Sequence, residues 1–261
     1  MRCDYLDWKD ATFDDPISKY ERTDTMEPVL TTSSLSKKYG SFTALDGIDL
    51  SIPAGRIVGL LGPNGSGKTT LIKLIAGLLT PSAGQIHVCG NHIGRDSKAL
   101  VSYLPDRVYF NPDQKIISLL DFFQDLYEDF DRSRAENMLS QLGIREEAKF
   151  KELSKGSREK VQLALVMSRR AKLYLLVEPI AGVDPAARDY IIQTVVTNYD
   201  PSATVIISTH LIADIEPILD DYIVLYQGKI MRQGSVEEER QKSGRTLDEL
   251  FREVFRCLPN Y

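Results

Sequence analysis

The residues best suited to chemistry lie in one short glycine-rich stretch. Residues 62–69 fit the pattern G-x-x-x-x-G-K-[ST], and with the next threonine the stretch consists of Gly62, Pro63, Asn64, Gly65, Ser66, Gly67, Lys68, Thr69 and Thr70. Glycines let backbone N–H groups turn inward without Cβ clashes, and a helix that starts here adds free donors and partial positive charge. Such a stretch, here called the phosphate loop, cradles nucleotide phosphates. Lys68 would reach the terminal phosphates, and the Thr69 hydroxyl would ligate Mg²⁺.

The sequence around the phosphate loop provides the elements that this pattern requires. Apolar and β-branched residues at 56–61 predict a strand before it, and residues 71–79 have a helical pattern after it. A strand, a glycine-rich loop and a helix in this order favour phosphate binding over a chance match in a turn.

Composition and charge exclude several function classes. The chain has 261 residues and an ordinary soluble composition, with no apolar run near the roughly 20 residues of a membrane span and no signal-peptide pattern. We therefore expect a cytoplasmic protein. A net charge of −5 gives no support to nucleic-acid binding. Cys3, Cys89 and Cys257 are scattered, which argues against a disulfide framework or a metal site.

Residues 1–28 form an acidic N-terminal tail. They carry eight acids and four bases, and they show no clear helical or strand period. A disordered extension explains this composition, but several apolar side chains also fit a docking segment. Met26 is a possible alternative start.

Alternating elements organise the remainder of the chain. Strand patterns recur on both sides of a mostly helical insert, so an α/β fold with a largely parallel sheet is expected. In the insert, Ser133 and Glu136 can form a capping box, with Gly143 after the helix end. The predicted boundaries are a main α/β domain at 29–240, which includes a helical part at about 107–168, and a C-terminal helical segment at 241–261. In that segment, Thr246 is the expected helix cap, with Glu249 at the capping-box position.

A second motif selects among the proteins that have a phosphate loop. The sequence Leu153-Ser154-Lys155-Gly156-Ser157 precedes a helix and lies about 20 residues before a strand that ends in Glu178. It resembles the LSGGQ signature of ATP-binding cassette (ABC) ATPases, and the resemblance covers about residues 29–240. Three further matches occur in the family's order: the aromatic Tyr39, the loop 181–184 and the switch histidine His210.

The resemblance implies a fold and a mechanism. The fold would be a P-loop NTPase (RecA-like) core with a small antiparallel β subdomain and a helical subdomain that carries the signature. Tyr39 would stack on adenine, Glu178 would orient or deprotonate the attacking water, and His210 would contact the γ-phosphate. Ser154 and the backbone of Gly156 would reach ATP bound by a second subunit in a head-to-tail dimer.

The sequence departs from the family pattern at three places. Val177 stands where the Walker B strand normally ends in an aspartate that supports Mg²⁺. Asp106 stands at the position of the Q-loop glutamine and could still bind Mg²⁺ or water. Lys155 replaces the second glycine of the signature, and it would either add positive charge near the partner's ATP or point into solvent. Val177 is the most serious departure because it has no oxygen.

Two functional hypotheses follow. In the first, the chain is an active ATPase subunit, peripheral on the inner face of the cell membrane, that drives separate transmembrane permease subunits of exporter type. In the second, it is a weakly hydrolytic regulatory subunit that binds ATP and pairs with a competent ABC subunit. Both hypotheses require ATP and Mg²⁺, and both leave open a homodimer or a heterodimer.

Overall fold

The computed structural model describes residues 28–256, which form two β-sheets with helices around them. The predictions for the N-terminal tail, and the positions of Cys3 and Cys257, lie outside the described residues. The strands are β1 (Pro28–Tyr39), β2 (Phe42–Pro53), β3 (Ile57–Leu61), β4 (Ala83–Val88), β5 (Asn91–His92), β6 (Val101–Leu104), β7 (Leu173–Val177), β8 (Thr204–Ser208), β9 (Asp221–Tyr226) and β10 (Lys229–Ser235). The α-helices are α1 (Lys68–Ile75), α2 (Arg95–Ala99), α3 (Ile116–Leu126), α4 (Arg132–Gln141), α5 (Lys155–Met167), α6 (Pro185–Asn198), α7 (Ile212–Ile215), α8 (Val236–Ser243) and α9 (Leu247–Arg256).

The larger sheet has the order β10-β9-β3-β8-β7-β6. All neighbouring strands in it are parallel except β9 and β10, which form an antiparallel hairpin. Strands β3, β7 and β8 are buried along their whole length, as expected for parallel strands covered on both faces. Apolar runs, rather than alternating patterns, therefore mark these strands in the sequence.

The smaller sheet is antiparallel, with the order β2-β1-β4-β5. Its long β1–β2 hairpin packs beside the phosphate loop. A Cβ atom on Gly67 would lie 2.7 Å from the carbonyl oxygen of Ala44 in β2. This sheet therefore supports one wall of the loop.

Helices α3, α4 and α5 form the helical part of the fold between β6 and β7. The capping prediction for α4 is wrong: Asp131 caps it by accepting a bond from the Arg134 N–H at 3.0 Å. The helix begins at Arg132, two residues before the start that a Ser133 cap would give, so Asp131 takes the cap position. Glu136 pairs with Arg132 instead of completing a capping box. Gly143 follows this helix in the left-handed conformation, as predicted.

One buried arginine joins this helical part to the parallel sheet through hydrogen bonds. Arg169 pairs with Asp129, and its guanidinium donates to the backbone carbonyls of Ala99 and Val101. It also lies 3.9 Å from the ring centroid of Tyr127. A buried cation that is fully paired in this way fixes the orientation of the two parts.

The C-terminal helices close the other edge of the sheet. Thr246 and Glu249 form the predicted capping box at the start of α9, with each side chain accepting from the other residue's N–H. In α8, the carboxylate of Glu239 receives bonds from the Tyr222 hydroxyl and the Arg232 guanidinium. These contacts join α8 to strands β9 and β10.

Candidate nucleotide-binding site

The register of the parallel strands brings four predicted site segments to one edge of the sheet. Ser208, at the end of β8, pairs with Leu60 of β3 and with Val177 of β7. The last residue of β6, Leu104, pairs with Leu176. The phosphate loop, His210, Glu178 and Asp106 all follow these strand ends, and open α/β sheets bind ligands at this carboxyl edge.

The shape of the phosphate loop depends on glycine at two positions. Gly62 has φ +149°, and a Cβ there would lie 2.2 Å from the carbonyl oxygen of Leu225. Gly67 has φ +109° and meets the Ala44 carbonyl in the same way. A side chain at either position would collide with backbone atoms, so these glycines allow the loop to wrap tightly at the start of α1.

Lys68 lies across this loop and is buried. Its Nζ donates to the carbonyl oxygens of Gly62 at 2.6 Å and Pro63 at 3.0 Å. Burial lowers the pKa of this ammonium, and the negative charge of Glu178 acts in the opposite direction. Lys68 and Glu178 are therefore close enough to interact electrostatically, although they come from different strand ends.

The loop fits a phosphate group. The Ser66 hydroxyl is buried and has no hydrogen-bond partner among the described residues, while Asn64 and Gly65 are exposed at the tip. Thr69 and Thr70 are half-buried in the first turn of α1. Unpaired donors beside a helix N-terminus and a lysine form an anion-binding cradle.

Glu178 and His210 form a direct pair beside the phosphate loop. The carboxylate lies 3.0 Å from Nδ1 of the imidazole. An ionised carboxylate only accepts hydrogen bonds, so Nδ1 carries the proton and Nε2 is left to face a ligand. Glu178 has φ +48°, and its N–H donates to the Ser208 carbonyl at 2.7 Å. A left-handed backbone at a non-glycine residue is strained, which is typical of functional positions.

The metal-binding residues are sparse. The part of the chain that the structure describes holds no group of three His, Cys, Asp or Glu side chains suited to a metal ion. Val177 is 1% exposed and lies in an apolar cluster. The Thr69 hydroxyl and the exposed Asp106 remain as candidates, and Mg²⁺ commonly completes its shell with water and substrate phosphates. These residues fit Mg²⁺ that is held mainly by ATP itself.

Tyr39 occupies the tip of the β1–β2 hairpin and is 46% exposed. The Lys37 ammonium lies 5.2 Å from its ring centroid. Ala44 of the same hairpin approaches Gly67 of the phosphate loop, and the exposed ring of Tyr39 has surface available for stacking.

The signature residues lie at the start of α5, apart from the phosphate loop. The Ser154 hydroxyl caps the helix by accepting from the Ser157 N–H at 3.1 Å. Lys155 is exposed, and its Nζ lies 3.6 Å from the position of a Cβ on Gly182. Within residues 28–256, no hydrogen bond or ion pair joins residues 154–157 to the phosphate loop. The structure therefore brings together Lys68, Glu178 and His210, whereas Ser154 is exposed and Gly156 is half-buried at the start of α5.

Sequence reasoning missed one residue at this edge. Ser208 is fully buried, and its hydroxyl has no partner among the described residues. In the sequence it is an ordinary strand residue. Only its pairing with both Leu60 and Val177 reveals its position, and no local signal predicts that register.

Comparisons with known proteins identify the family to which the chain belongs. The sequence model of the ABC transporter family matches residues 45–181. An uncharacterized ABC transporter ATP-binding protein of Methanocaldococcus jannaschii is 31% identical, with 82% of this chain and 80% of that protein covered. A linearmycin resistance ATP-binding protein of Bacillus subtilis is 30% identical, with 79% of this chain and 69% of that protein covered.

Solved structures give the same result for the fold. A structure described as the ATP-binding subunit of an ABC transporter superposes with a TM-score of 0.78 at 26% identity, covering 87% of this chain and 99% of that one. The expected P-loop NTPase fold, with its antiparallel β and helical parts, is confirmed. The chain therefore belongs to the ABC transporter family and is an ABC-type ATPase subunit that binds ATP.

Proposed function

We propose that this subunit hydrolyses Mg²⁺-ATP to drive separate transmembrane subunits of an export-type transporter. The main support is that Glu178 contacts His210 and interacts electrostatically with Lys68 at one edge of the sheet. Phosphoryl transfer needs positioning and charge compensation more than covalent chemistry, and this trio supplies a base, an orienting imidazole and a cation.

Each residue has a distinct role in the proposed reaction. Lys68 leaves its carbonyl partners and compensates the negative charge of the terminal phosphates. Glu178 orients or deprotonates the attacking water, while His210 contacts the γ-phosphate through Nε2 and restrains the carboxylate. Bound Mg²⁺, held by Thr69 with possible support from Asp106, would neutralise phosphate charge.

The proposal includes a head-to-tail dimer. Ser154 is exposed and Gly156 is half-buried at the start of α5, and neither is bonded to the chain's own phosphate loop within residues 28–256. A helix N-terminus with an exposed serine suits the γ-phosphate of ATP bound by a second subunit. One subunit alone would then form an incomplete site, and ATP would hold two subunits together.

An exposed apolar patch on the helical part favours a permease partner. The patch consists of Val108, Tyr109, Phe122 and Leu126, each more than a third exposed. Phe122 and Leu126 lie four residues apart on one face of α3, and the Tyr109 ring lies 4.5 Å from the ring of Phe110. Apolar patches of this kind are typical of interaction sites.

The export direction and the cellular location rest on analogy. The Bacillus subtilis relative is a resistance protein, which fits the removal of a toxic compound from the cell. No helix within residues 28–256 is long and apolar enough to cross a membrane. A subunit that docks on a permease from the ATP-containing side would be peripheral on the inner face of the cell membrane.

Val177 favours a second candidate function. The buried valine cannot accept a hydrogen bond from a Mg²⁺-bound water, so hydrolysis would be slow even where ATP binds. In this alternative the subunit regulates a transporter by pairing with a competent ABC subunit in an asymmetric dimer.

Steady-state phosphate release distinguishes the two candidates. The experiment compares the unaltered chain with Val177→Asp and Glu178→Gln over a range of Mg²⁺ concentrations. Turnover in the unaltered chain that is lost in Glu178→Gln supports the active subunit. Turnover that appears only in Val177→Asp supports the regulatory subunit. Turnover in Glu178→Gln equal to that of the unaltered chain contradicts the role of Glu178.

A further inference from the structure

The Ser208 hydroxyl is the least explained polar group near the site. It is fully buried, and the described residues offer it no hydrogen-bond partner. An unpaired buried hydroxyl is unfavourable, and most buried polar side chains in folded proteins are paired. A hydrogen-bond partner for this hydroxyl must therefore come from outside the described residues.

Its place in the sheet identifies the region that it faces. Strand β8 lies between β3, which enters the phosphate loop, and β7, which carries Val177. Ser208 pairs with Leu60 on one side and Val177 on the other, and laterally paired residues of parallel strands point to the same face. Val177 and Leu60 belong to the apolar cluster that includes Leu71 of α1. The hydroxyl thus lies on the α1 face, at the carboxyl end of the sheet.

The backbone of Ser208 is tied to the catalytic residues. Its carbonyl accepts the Glu178 N–H, and Glu178 lies within electrostatic reach of Lys68 at the start of α1. Thr69, the expected Mg²⁺ ligand, is the next residue of that helix. The unpaired hydroxyl and the buried valine are therefore register partners on the α1 face, at the end of the sheet from which Glu178 interacts with Lys68.

We propose that Ser208 is a positioning residue that hydrogen-bonds a water of the Mg²⁺–ATP complex and partly replaces the missing Walker B carboxylate. A hydroxyl both accepts and donates, so it can orient a metal-bound water that valine cannot contact. The inference rests on the proposed binding of Mg²⁺-ATP at the phosphate loop. It extends that proposal because it assigns metal support to a residue outside the family motifs.

The proposal predicts two opposite effects of Ser208→Ala. Without nucleotide, removal of an unpaired hydroxyl raises the thermal midpoint by about 2–4 °C. With nucleotide, the Mg²⁺ concentration needed for half-maximal binding of a fluorescent, non-hydrolysable ATP analogue rises about tenfold, as for the loss of an outer-shell metal contact. A purely structural serine would not link these two changes.

The experiment titrates Mg²⁺ against analogue binding in the unaltered chain, Ser208→Ala and Ser102→Ala. Ser102 is the matched control because its hydroxyl is also buried but donates to the Val166 carbonyl at 2.8 Å, away from the site. The same Ser208→Ala change is then tested in a Val177→Asp background, where the carboxylate should hold the water and reduce the effect to less than about threefold.

The outcomes separate this inference from the proposed function. A tenfold rise in the Mg²⁺ concentration for half-maximal binding in Ser208→Ala supports the inference, provided that Ser102→Ala shows no such rise and that the rise is smaller in the Val177→Asp background. Mg²⁺-dependent binding that is the same in Ser208→Ala and the unaltered chain overturns this inference alone. Binding of the analogue that is equally weak in the unaltered chain and in Lys68→Ala overturns the proposed function, and this inference with it.

Discussion

Nδ1 of His210 lies 3.0 Å from the carboxylate of Glu178, across the loops that follow the neighbouring strands β7 and β8. The pair joins two residues that are 32 positions apart in the sequence. Because Glu178 can only accept, the bond fixes the imidazole tautomer and directs Nε2 away from the carboxylate. The relationship makes the position of each residue depend on the other.

His210→Ala should therefore impair catalysis more than binding. Loss of the imidazole frees the Glu178 carboxylate to rotate, and misplacement of a catalytic group by about 1 Å can cost about 10²-fold in rate. We expect kcat to fall by about that factor while the Kd for ATP stays within about threefold. Phosphate-release kinetics and fluorescent ATP binding measure the two quantities. His92→Ala, an exposed histidine on the other sheet, serves as the control. An unchanged kcat in His210→Ala would remove the histidine from the mechanism.

Lys68→Ala should abolish tight ATP binding. In the structure Nζ is held by two carbonyl oxygens of its own loop, so the cation is placed where phosphates would bind. Loss of a charge-assisted contact of about 3 kcal/mol corresponds to about 10²-fold in Kd. Isothermal titration with ATP measures this change. Lys73→Ala, on the same helix, should retain the original Kd, and an unchanged Kd in Lys68→Ala would contradict the phosphate-loop assignment.

Ser154→Arg should block the ATP-dependent dimer and leave nucleotide binding by the monomer intact. The exposed helix start would meet the partner's ATP, where a large side chain causes a steric clash. Loss of the helix cap also costs about 1 kcal/mol of stability. Size-exclusion chromatography with ATP, in a Glu178→Gln background that prevents hydrolysis, measures dimer formation. Ser140→Arg, an exposed serine on α4, is the matched control. A dimer that survives Ser154→Arg would argue against a signature that acts in trans.

Much of the fold follows from local sequence patterns. Apolar runs mark the buried parallel strands, and the glycine–lysine–threonine stretch marks a strand, a loop and a helix that the structure contains. The capping box at Thr246 was predictable because both partners lie within four residues. The cap of α4 was not, since Ser133 and Asp131 both suit a helix start, and the sequence does not show which one the surrounding packing selects.

The sequence named candidate site residues but only partly predicted their geometry. Motif residues such as Glu178 and His210 could be named, because each follows an apolar strand. Their direct contact, the left-handed backbone of Glu178 and the unpaired hydroxyl of Ser208 depend on the lateral register of strands far apart in the chain. Pairwise strand register is a tertiary property, and single-strand patterns do not encode it.

Asp221→Asn should stabilise the protein at neutral pH. Burial raises the pKa of the Asp221 carboxyl to about 6, although the Arg56 guanidinium at 3.8 Å opposes the rise. The folded state therefore holds its proton at a higher pH than the unfolded state, whose carboxyl has a pKa near 3.8. The stability of the protein is unaffected by this difference below about pH 4, and it falls as the pH rises through about 6. The asparagine does not ionise and avoids this loss.

The gain should be about 1–3 kcal/mol at pH 7.5 and should shrink toward pH 4. Urea unfolding of both proteins at several pH values measures the difference in the free energy of unfolding. Asp46→Asn, at an exposed carboxylate paired with Lys229, is the control and should change stability little at any pH. A difference for Asp221→Asn that is independent of pH would show that the carboxyl titrates normally in the folded state.

Val177→Asp should lower the stability of the protein without nucleotide and strengthen its binding of Mg²⁺-ATP. Position 177 is 1% exposed among apolar side chains, and strand register pairs it with Ser208 of β8. A buried carboxylate there should lower the free energy of unfolding by about 2–4 kcal/mol without nucleotide, because one hydroxyl cannot offset its desolvation. Mg²⁺-ATP should then raise the thermal midpoint of Val177→Asp more than that of the unaltered chain, because ligands that bind only the folded state stabilise it. Differential scanning fluorimetry with and without Mg²⁺-ATP compares both proteins with Val177→Asn, which has a similar size but no charge. An equal Mg²⁺-ATP shift in all three would mean that position 177 does not contribute to metal binding, and the valine would then explain no loss of activity.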